Sequence, residues 1–231
     1  MEEYLNKVIH GDCLEVMKKL PDNCIDLCLC DPPYGIGESR KDNASRGKQR
    51  GGLKNNALGC SRDYPKKEWD NKIPTKEMSD EIKRISKHQI IWGGNYFVEY
   101  LENSPCWIVW DKDNGKNDFA DCELAWTNYK TAVRKFKWRW HGMLQEDMKN
   151  KDIRQHPTQK PVELMVWCLE NYLMKKWDKD RRPIVFDGFA GSGTTAVACK
   201  KCGCDYILVE KEKDYCDIIH KRLAQETLFN S

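Results

Sequence analysis

The sequence predicts a doubly wound α/β domain with a mostly parallel central sheet, and three observations support that fold class. Two short apolar runs, Ile25–Cys30 and Ile184–Asp187, read as buried strands, and each ends in a turn rich in proline or glycine. The second run opens a strand, helix, strand unit, which is the building block of parallel sheets. A chain of 231 residues without an internal repeat suits one core, so we expect a single domain over residues 1–231.

Composition narrows the broad class of the protein. Charged residues make up 32% of the chain against about 25% on average, but acids and bases nearly cancel and leave a net charge of +3, so charge alone indicates no partner. Twelve cysteines would suit a secreted disulfide scaffold, yet the first residues lack a signal-peptide pattern and no apolar run is long enough to span a bilayer. We therefore expect reduced thiols, a cytoplasmic location and no membrane partner.

The remaining elements follow the same α/β pattern. Lys7–His10 reads as a strand and Leu14–Leu20 as a short amphipathic helix, for which Asp12 is a suitable N-cap. Gln89–Phe97 and Trp107–Asp111 read as two further strands of the predicted sheet.

The tetrapeptide Asp31-Pro32-Pro33-Tyr34 closes the first buried run and carries the most specific chemistry. An amino group on a heteroaromatic ring is a poor nucleophile because its lone pair is delocalised, so a catalyst has to accept its hydrogens. The Asp31 carboxylate and the Pro32 carbonyl are suitable acceptors, and the two prolines fix the backbone that presents them. Tyr34 offers a face on which a base can stack. The alternative is an ordinary turn after a strand, where proline and aspartate are common.

A second motif lies near the C-terminus and predicts an adenosine cofactor. Its parts, in order, are the strand Ile184–Asp187, the turn Gly188–Thr195, the helix Ala196–Cys202 ending at Gly203, and the strand Tyr206–Glu210. Gly191, Gly193 and Ala196 match the dinucleotide-binding fingerprint. Glu210 lies nineteen residues after Gly191, close to the ~20 expected of the acid that binds ribose hydroxyls.

The identity of the adenosine cofactor depends on neighbouring residues. A phosphate-binding P-loop needs a lysine where this chain has Thr194, whereas a nicotinamide dinucleotide is compatible with the glycines. The segment His156–Pro161 opens a helix, with Pro161 suited to its first position. The Thr158 hydroxyl and the Lys160 ammonium suit a carboxylate, which matches the methionine end of S-adenosylmethionine better than a pyrophosphate. The alternative for this segment is a loop that only caps the helix.

The tetrapeptide, the His156–Pro161 segment and the glycine turn, in this order, resemble the shared motifs of the β group of amino-directed DNA methyltransferases. The resemblance covers about the whole chain except two basic stretches. One departure is Asp187-Gly188-Phe189, where the family commonly has proline in the middle position. The resemblance implies a Rossmann-like S-adenosylmethionine-dependent methyltransferase fold and methylation of the exocyclic amino group of a flipped adenine in DNA.

The resemblance and the motif chemistry together nominate site residues. The expected catalytic residues are Asp31, Pro32, Pro33 and Tyr34. The expected cofactor-binding residues are Asp12, Asp31, Thr158, Lys160, Asp187, Phe189, Gly191, Ser192, Gly193, Thr194, Thr195 and Glu210. We expect no metal site, because the CxxC pattern in Cys199–Cys204 lies in a predicted helix and no histidine follows at ligand spacing.

Two stretches outside the motifs are candidates for DNA contact. Residues 36–67 hold nine basic residues against three acids without apolar periodicity, so they read as a long mobile loop. Residues 130–155 read as a target-recognition segment, in which aromatic and basic residues alternate at the period of a strand. The expected contacts are Arg40, Lys41, Arg46, Lys48, Arg50, Lys135, Lys137 and Arg139. A solvated basic face is the alternative.

Several functions stay open at this point. Cytosine amino methylation uses the same geometry, although such enzymes more often have serine where this chain has Asp31. Carbon-5 cytosine methylation needs a thiolate, but Cys106 begins a predicted core strand. An RNA adenine methyltransferase shares the amino chemistry, and an NAD-dependent oxidoreductase explains the glycine turn and Glu210 but not the tetrapeptide. A non-enzymatic DNA-binding protein is disfavoured because the motifs are intact. The expected partner is double-stranded DNA, and the sequence leaves open a homodimer and a cognate restriction endonuclease.

Overall fold

The computed structural model describes residues 1–37, 70, 72–115, 120–141, 144–149, 151–152, 154–156, 158–178 and 180–229. Its strands are β1 Lys7–His10, β2 Ile25–Cys30, β3 Ser86–Trp92, β4 Trp107–Asp111, β5 Cys122–Thr127, β6 Arg134–Lys137, β7 Trp140–His141, β8 Leu144–Gln145, β9 Ile184–Asp187 and β10 Asp205–Glu210. Its α-helices are α1 Cys13–Met17, α2 Lys76–Ile85, α3 Val162–Cys168, α4 Thr194–Cys202 and α5 Lys213–Phe229. Short 3-10 helices span Glu2–Tyr4, Gly94–Tyr96, Val98–Tyr100 and Met174–Lys176, and a π-helical turn, Leu169–Leu173, extends α3.

Eight strands form one sheet in the order β1-β10-β9-β2-β3-β5-β4-β6, and β7 pairs with β8 separately. Among the described strands of the large sheet, only β5 runs against its neighbours, and every other pair is parallel. Helices cover both faces. The predicted doubly wound, mostly parallel α/β fold is therefore confirmed.

The two motif-bearing strands lie side by side at the centre of this sheet. β2 pairs with β9 through Leu27 with Val185 and Cys28 with Phe186. From β9 the chain continues outward to β10, and from β2 it continues in the other direction to β3, so the strand order reverses between them. Such a reversal opens a crevice at the carboxyl ends of the strands, which is where ligands bind in open α/β sheets.

Burial on both faces explains why β2 is a continuous apolar run. Leu27 and Leu29 point into a core beneath α3 and α4, whereas Cys28 and Cys30 point into a second core beneath α1 and α2. All of β2 is buried, as expected of a parallel strand that helices cover on both faces. Cys106 is also fully buried, which confirms its predicted core position.

Most predicted elements are confirmed, and the differences have local causes. The predicted strand Gln89–Phe97 is wrong at both ends, because the strand begins at Ser86 and stops at Trp92, where Gly93 turns the chain at φ +69° into a 3-10 helix. The predicted helix Leu14–Leu20 is shorter and begins one residue earlier, at Cys13. Its N-cap is Asp12, whose side chain accepts a hydrogen bond from the Leu14 backbone at 2.9 Å.

Helix α4 begins at Thr194, two residues before the predicted start, and ends at Cys202, with Gly203 at φ +71° as its C-cap. The helix that follows Pro161 is confirmed, with Pro161 itself in the N-cap position. Across the part of the chain that the structure describes, none of the helices combines the length and apolar character needed to cross a bilayer.

The amino end of β2 is held by a buried carboxylate. The Asp26 side chain is 2% exposed and accepts two hydrogen bonds from Arg181, at 2.7 and 2.8 Å. It also accepts from the Lys87 ammonium at 3.0 Å and from the Ile184 backbone at 2.9 Å. Burial would raise the pKa of Asp26, but these donors outweigh it and lower that pKa. Asp26 therefore ties β2 to β3 and to the start of β9.

Replacing Asp26 with asparagine should lower the free energy of unfolding by about 2 kcal/mol, because it removes the charge that all of these donors share. Urea denaturation of the two proteins measures the difference. A matched control is Asp80→Asn, whose carboxylate is 51% exposed and pairs with Lys76 within one helix. The control should change the free energy of unfolding by less than about 0.5 kcal/mol. Equal losses in the two variants would contradict the assigned role of Asp26.

Candidate active site

A cavity of about 570 Å³ lies at the carboxyl ends of β2 and β9, and it brings the three sequence motifs together. Asp31 and Pro33 form part of its wall, and Pro32 is buried beside them. The expected cofactor-binding residues on the wall are Asp12, Asp31, Thr158, Lys160, Asp187, Phe189, Gly191, Ser192, Thr194, Thr195 and Glu210. Residues that are far apart in sequence therefore line one crevice.

The glycine turn between β9 and α4 needs glycine at two positions. Gly191 and Gly193 have φ of +52° and +78°, a backbone region that other residues rarely adopt. A Cβ atom at Gly193 would lie 2.7 Å from the Ile219 side chain of α5, so glycine also permits this close helix contact. Gly193 thus shapes the turn from behind, whereas Gly191 faces the cavity.

Glu210 holds the same turn from the end of β10. One of its carboxylate oxygens accepts a hydrogen bond from the Gly191 backbone at 2.7 Å, and the other accepts from the Glu212 backbone at 2.8 Å. Burial raises the pKa of Glu210, and these backbone donors oppose the rise. The carboxylate also lines the cavity, so its expected contact with ribose hydroxyls stays a prediction.

Asp187 is a second carboxylate that braces the turn. Its oxygens accept hydrogen bonds from the Thr195 hydroxyl at 2.6 Å and from the Phe189 backbone at 3.0 Å. The side chain is buried, and burial raises its pKa to about 7 although both hydrogen bonds favour the charged form. Asp187 is therefore a carboxylate whose charge state changes near neutral pH.

The His156–Pro161 segment packs onto the glycine turn. The backbone amide and the hydroxyl of Thr158 lie 3.3 and 3.1 Å from His156 Nδ1. Gln159 Oε1 accepts a hydrogen bond from the Ser192 hydroxyl at 3.1 Å, which joins the segment directly to the turn. The His156 ring packs against Tyr215 of α5 at 4.5 Å between ring centroids.

Arg222 of α5 also holds the turn, and sequence analysis missed it. Its guanidinium contacts the Ser192 carbonyl and the Thr194 hydroxyl at 3.2 Å each, and Asp152 at 3.0 Å. Asp152 in turn accepts from Gln159 at 3.1 Å. The sequence carries no local signal for this link, because a helical arginine is ordinarily a solvent-exposed residue.

The Asp31 carboxylate lies in a cluster of ionisable side chains. The Tyr34 hydroxyl donates to Asp31 Oδ1 at 2.7 Å, and the Lys160 ammonium contacts Asp31 Oδ2 at 2.6 Å. Lys160 also contacts the Tyr34 hydroxyl at 3.0 Å and Glu123 of β5 at 3.1 Å. Glu123 pairs on its other side with Lys112. Lys160, expected at the cofactor carboxylate, therefore connects the cavity wall to the tetrapeptide Asp31–Tyr34.

The charges in this cluster compensate one another. Burial raises the pKa of Asp31, and Lys160 opposes that rise. Burial would lower the pKa of Lys160, but Asp31 and Glu123 outweigh it and raise that pKa. Burial would raise the pKa of Glu123, but Lys160 and Lys112 outweigh it and lower that pKa to about 2. Lys160 and Glu123 are therefore both charged at neutral pH.

The Tyr34 ring is held by aromatic packing that sequence analysis did not foresee. It stacks on Tyr96 with 4.8 Å between centroids and 15° between planes. A Cβ atom at Gly93 would lie 2.0 Å from the Tyr34 ring, so the glycine that ends β3 makes room for it. The pair Gly93-Gly94 in the sequence was the available signal for this close approach.

The structure describes three of the residues predicted to contact DNA, Lys135, Lys137 and Arg139. Phe136 packs inward against Trp138 and Trp167, while Lys135 and Lys137 are more than half exposed, which confirms the strand-like alternation. Each of these basic side chains pairs with an acidic side chain at or just beyond the end of β4. Lys135 contacts Asp111 at 3.2 Å, Lys137 contacts Asp113 at 3.0 Å, and Arg139 also pairs with Asp113. The expected contacts Arg40, Lys41, Arg46, Lys48 and Arg50 lie outside the described residues.

Comparisons with known proteins agree with this architecture. The family model described as DNA methylase, N6/N4 class, matches residues 107–221. The chain is 26% identical to type II methyltransferase M.HinfI of Haemophilus influenzae, over 97% of this chain and 70% of that protein. It is 24% identical to type II methyltransferase M2.DpnII of Streptococcus pneumoniae, over 98% of this chain and 94% of that protein.

Two solved structures share the fold. The M1.HpyAVI–SAM complex superposes with a TM-score of 0.54 at 20% identity, covering 94% of this chain and 98% of that one. The PvuII DNA methyltransferase, described as cytosine-N4-specific, gives a TM-score of 0.58 at 14% identity, covering 93% and 84%. The fold is thus that of an S-adenosylmethionine-dependent methyltransferase. The chain belongs to the N6/N4 class of amino-directed DNA methylases, as its motifs indicated.

Asp187 should make stability depend on pH. Its folded pKa of about 7 lies above the ordinary value of 3.8, so the folded state binds the proton more tightly than the unfolded state. Its contribution is therefore complete below about pH 4 and is lost as pH rises through 7, with a loss on the order of 4 kcal/mol at most.

Asp187→Asn removes this titration, so the variant should gain stability relative to the wild type between pH 5 and pH 8. Chemical denaturation at both pH values measures the change. A stability difference between the two proteins that stays constant with pH would show that Asp187 does not titrate in this range.

Proposed function

We propose that this protein transfers the methyl group of S-adenosylmethionine to the exocyclic amino group of adenine in DNA. The observation that carries the proposal is the position of Asp31 and Gly191 on the wall of one cavity, at the ends of adjacent strands. The amino-hydrogen acceptors thus lie beside the turn expected to bind the cofactor. Adenine is favoured over cytosine because the tetrapeptide begins with aspartate.

The cavity suits S-adenosylmethionine in size and charge. Pockets of roughly 300–1,000 Å³ hold ligands of this size, and this one has about 570 Å³. The carboxylates of Asp12, Asp187 and Glu210 line it, which favours a ligand that carries sulfonium and ammonium charges. Thr158 and Lys160 supply a hydroxyl and an ammonium for the carboxylate of the methionine end. When bound, the cofactor supplies a sulfonium methyl group, whose bond to sulfur breaks with the electron pair left on sulfur as the bond to nitrogen forms.

The catalytic tetrapeptide would act on a base turned out of the duplex, at a cost of a few kcal/mol in unstacking. Asp31 and the Pro32 carbonyl accept the amino hydrogens, and one proton passes to Asp31 and then to water. The base would stack on Tyr34 in place of Tyr96. Because the Tyr34 hydroxyl donates to Asp31 Oδ1, the arriving amino group has to replace this hydrogen bond. Catalysis then rests on positioning and electrostatics, without a covalent enzyme intermediate.

The same proposal includes the partners. Lys135, Lys137 and Arg139 lie on the exposed side of edge strand β6 and just beyond it, where phosphates can compete with Asp111 and Asp113. We treat residues 1–231 as one methyltransferase domain acting on double-stranded DNA. A cognate restriction endonuclease fits the type II names of the relatives.

Methylation of the cytosine amino group is a second candidate, because the PvuII enzyme that shares the fold is described as cytosine-N4-specific. The two reactions need the same acceptors and differ in the base that the pocket admits. Mass spectrometry of nucleosides from duplex DNA treated with the protein distinguishes N6-methyladenine from N4-methylcytosine. We expect N6-methyladenine alone, and N4-methylcytosine would reverse the assignment of the base.

Asp31→Ala should abolish methyl transfer, with a loss of at least about 100-fold in kcat, because it removes the acceptor of the amino proton. Transfer of tritiated methyl groups to duplex DNA measures the rate. Calorimetric titration with S-adenosylmethionine should give a dissociation constant within a few-fold of the wild type, which controls for folding. A fully active variant would exclude the proposed mechanism.

Glu210→Gln should weaken S-adenosylmethionine binding by about tenfold, because the amide has one acceptor oxygen for two backbone donors and lacks the charge. The matched control is Glu163→Gln on α3, whose carboxylate is 41% exposed. Calorimetry should show the control binding like the wild type. Unchanged affinity in Glu210→Gln would rule out a cofactor role for this carboxylate.

A further inference from the structure

Four side chains of alternating charge form a row of contacts that begins at Asp31: Asp31, Lys160, Glu123 and Lys112. Lys160 lies 2.6 Å from Asp31 and 3.1 Å from Glu123, and Lys112 pairs with the second oxygen of Glu123. Lys160 is 4% exposed, and the other members are exposed by 18 to 24%. Charges so shielded from water interact more strongly than surface pairs do.

The reversed strand β5 brings Glu123 to this position. The parallel strands end at the edge of the sheet that carries Asp31, but β5 begins there because it runs the other way. Glu123 is the second residue of β5 and pairs with Trp110 of β4. Lys112 follows directly after the end of β4, so it lies close to Glu123. Glu123 and Lys112 therefore lie at the edge of the sheet that carries Asp31, although neither belongs to a sequence motif.

The proton chemistry of amino methylation gives this arrangement a use. The methylated nitrogen has one proton in excess, and that proton passes to Asp31 and then to water. Lys160 alone would weaken Asp31 as a proton acceptor, because its positive charge stabilises the ionised carboxylate. Glu123 shares the Lys160 ammonium and adds a negative charge, which restores the proton affinity of Asp31. Lys112 keeps Glu123 ionised.

We propose that Glu123, supported by Lys112, is a positioning residue that acts through Lys160 to keep Asp31 able to accept the amino proton. The inference rests on the proposed function and names residues of the same site. The ionisable groups that face Asp31 or its partners are Cys30, Tyr34, Tyr96, Lys112, Glu123, Lys160 and Asp187. Among these, Glu123 and Lys112 can be neutralised without changing the tetrapeptide or Lys160.

Two neutral variants should have opposite effects on the acid limb of the pH profile of kcat. Glu123→Gln should shift the limb to lower pH by about one unit and reduce kcat at least about tenfold. Lys112→Gln removes a positive charge and should shift the limb to higher pH. Glu123→Asp should recover part of the lost rate, and the exposed Glu102→Gln should behave like the wild type. A merely structural role would reduce activity without opposite shifts.

A readout without DNA separates this inference from the proposed function. The pKa of the Asp31 carboxyl is measured by carbon-13 NMR on aspartate-labelled protein, with Asp31→Asn used to assign the signal. We expect that pKa to fall in Glu123→Gln and to rise in Lys112→Gln. An unchanged pKa, or shifts in the same direction, would overturn the inference. A wild type that transfers no methyl group to DNA would overturn the proposed function, whereas the titration would still test the coupling.

Discussion

The parallel pairing of β2 with β9 is the contact on which the rest of the site depends. Strands that are more than 150 residues apart in the chain become neighbours, and because they run in the same direction they end at the same edge. The tetrapeptide and the glycine turn therefore open into one crevice without any long loop having to carry them there. At the amino ends of these two strands, Asp26 links β2 to the start of β9, which stabilises the strand pair that positions the site.

Charge compensation is the second constraint on the site. A cavity wall rich in carboxylates is unfavourable unless donors or cations lie close to it. Backbone amides donate hydrogen bonds to Glu210 and Asp187, whereas the carboxylates of Asp31 and Glu123 form ion pairs with ammonium groups. The difference matters chemically. Carboxylates held by amides have positions that the backbone determines, while the Asp31 carboxylate lies in a network whose charge can be redistributed during a reaction.

Sequence predicted the elements whose signals are local. β1, β2, β4 and β9 match their predicted bounds, because a buried strand bounded by turns is visible in a short window. The end of β3 was predicted wrongly because Gly93 is needed for the Tyr34 ring, a contact between distant segments. Glu123 and Arg222 could not be found for the same reason. Their roles follow from strand order and helix docking, which no window of residues encodes.

The close contact of Gly193 with Ile219 links the glycine turn to the last helix of the described chain. Together with Arg222, it makes the shape of that turn depend on residues that are synthesised after both motif-bearing strands. Strand β2, which precedes the tetrapeptide, is synthesised early and can pair with β3, yet the glycine turn beside it is not held until α5 docks. A nascent chain should therefore be unable to retain a small ligand at this crevice until α5 has been synthesised.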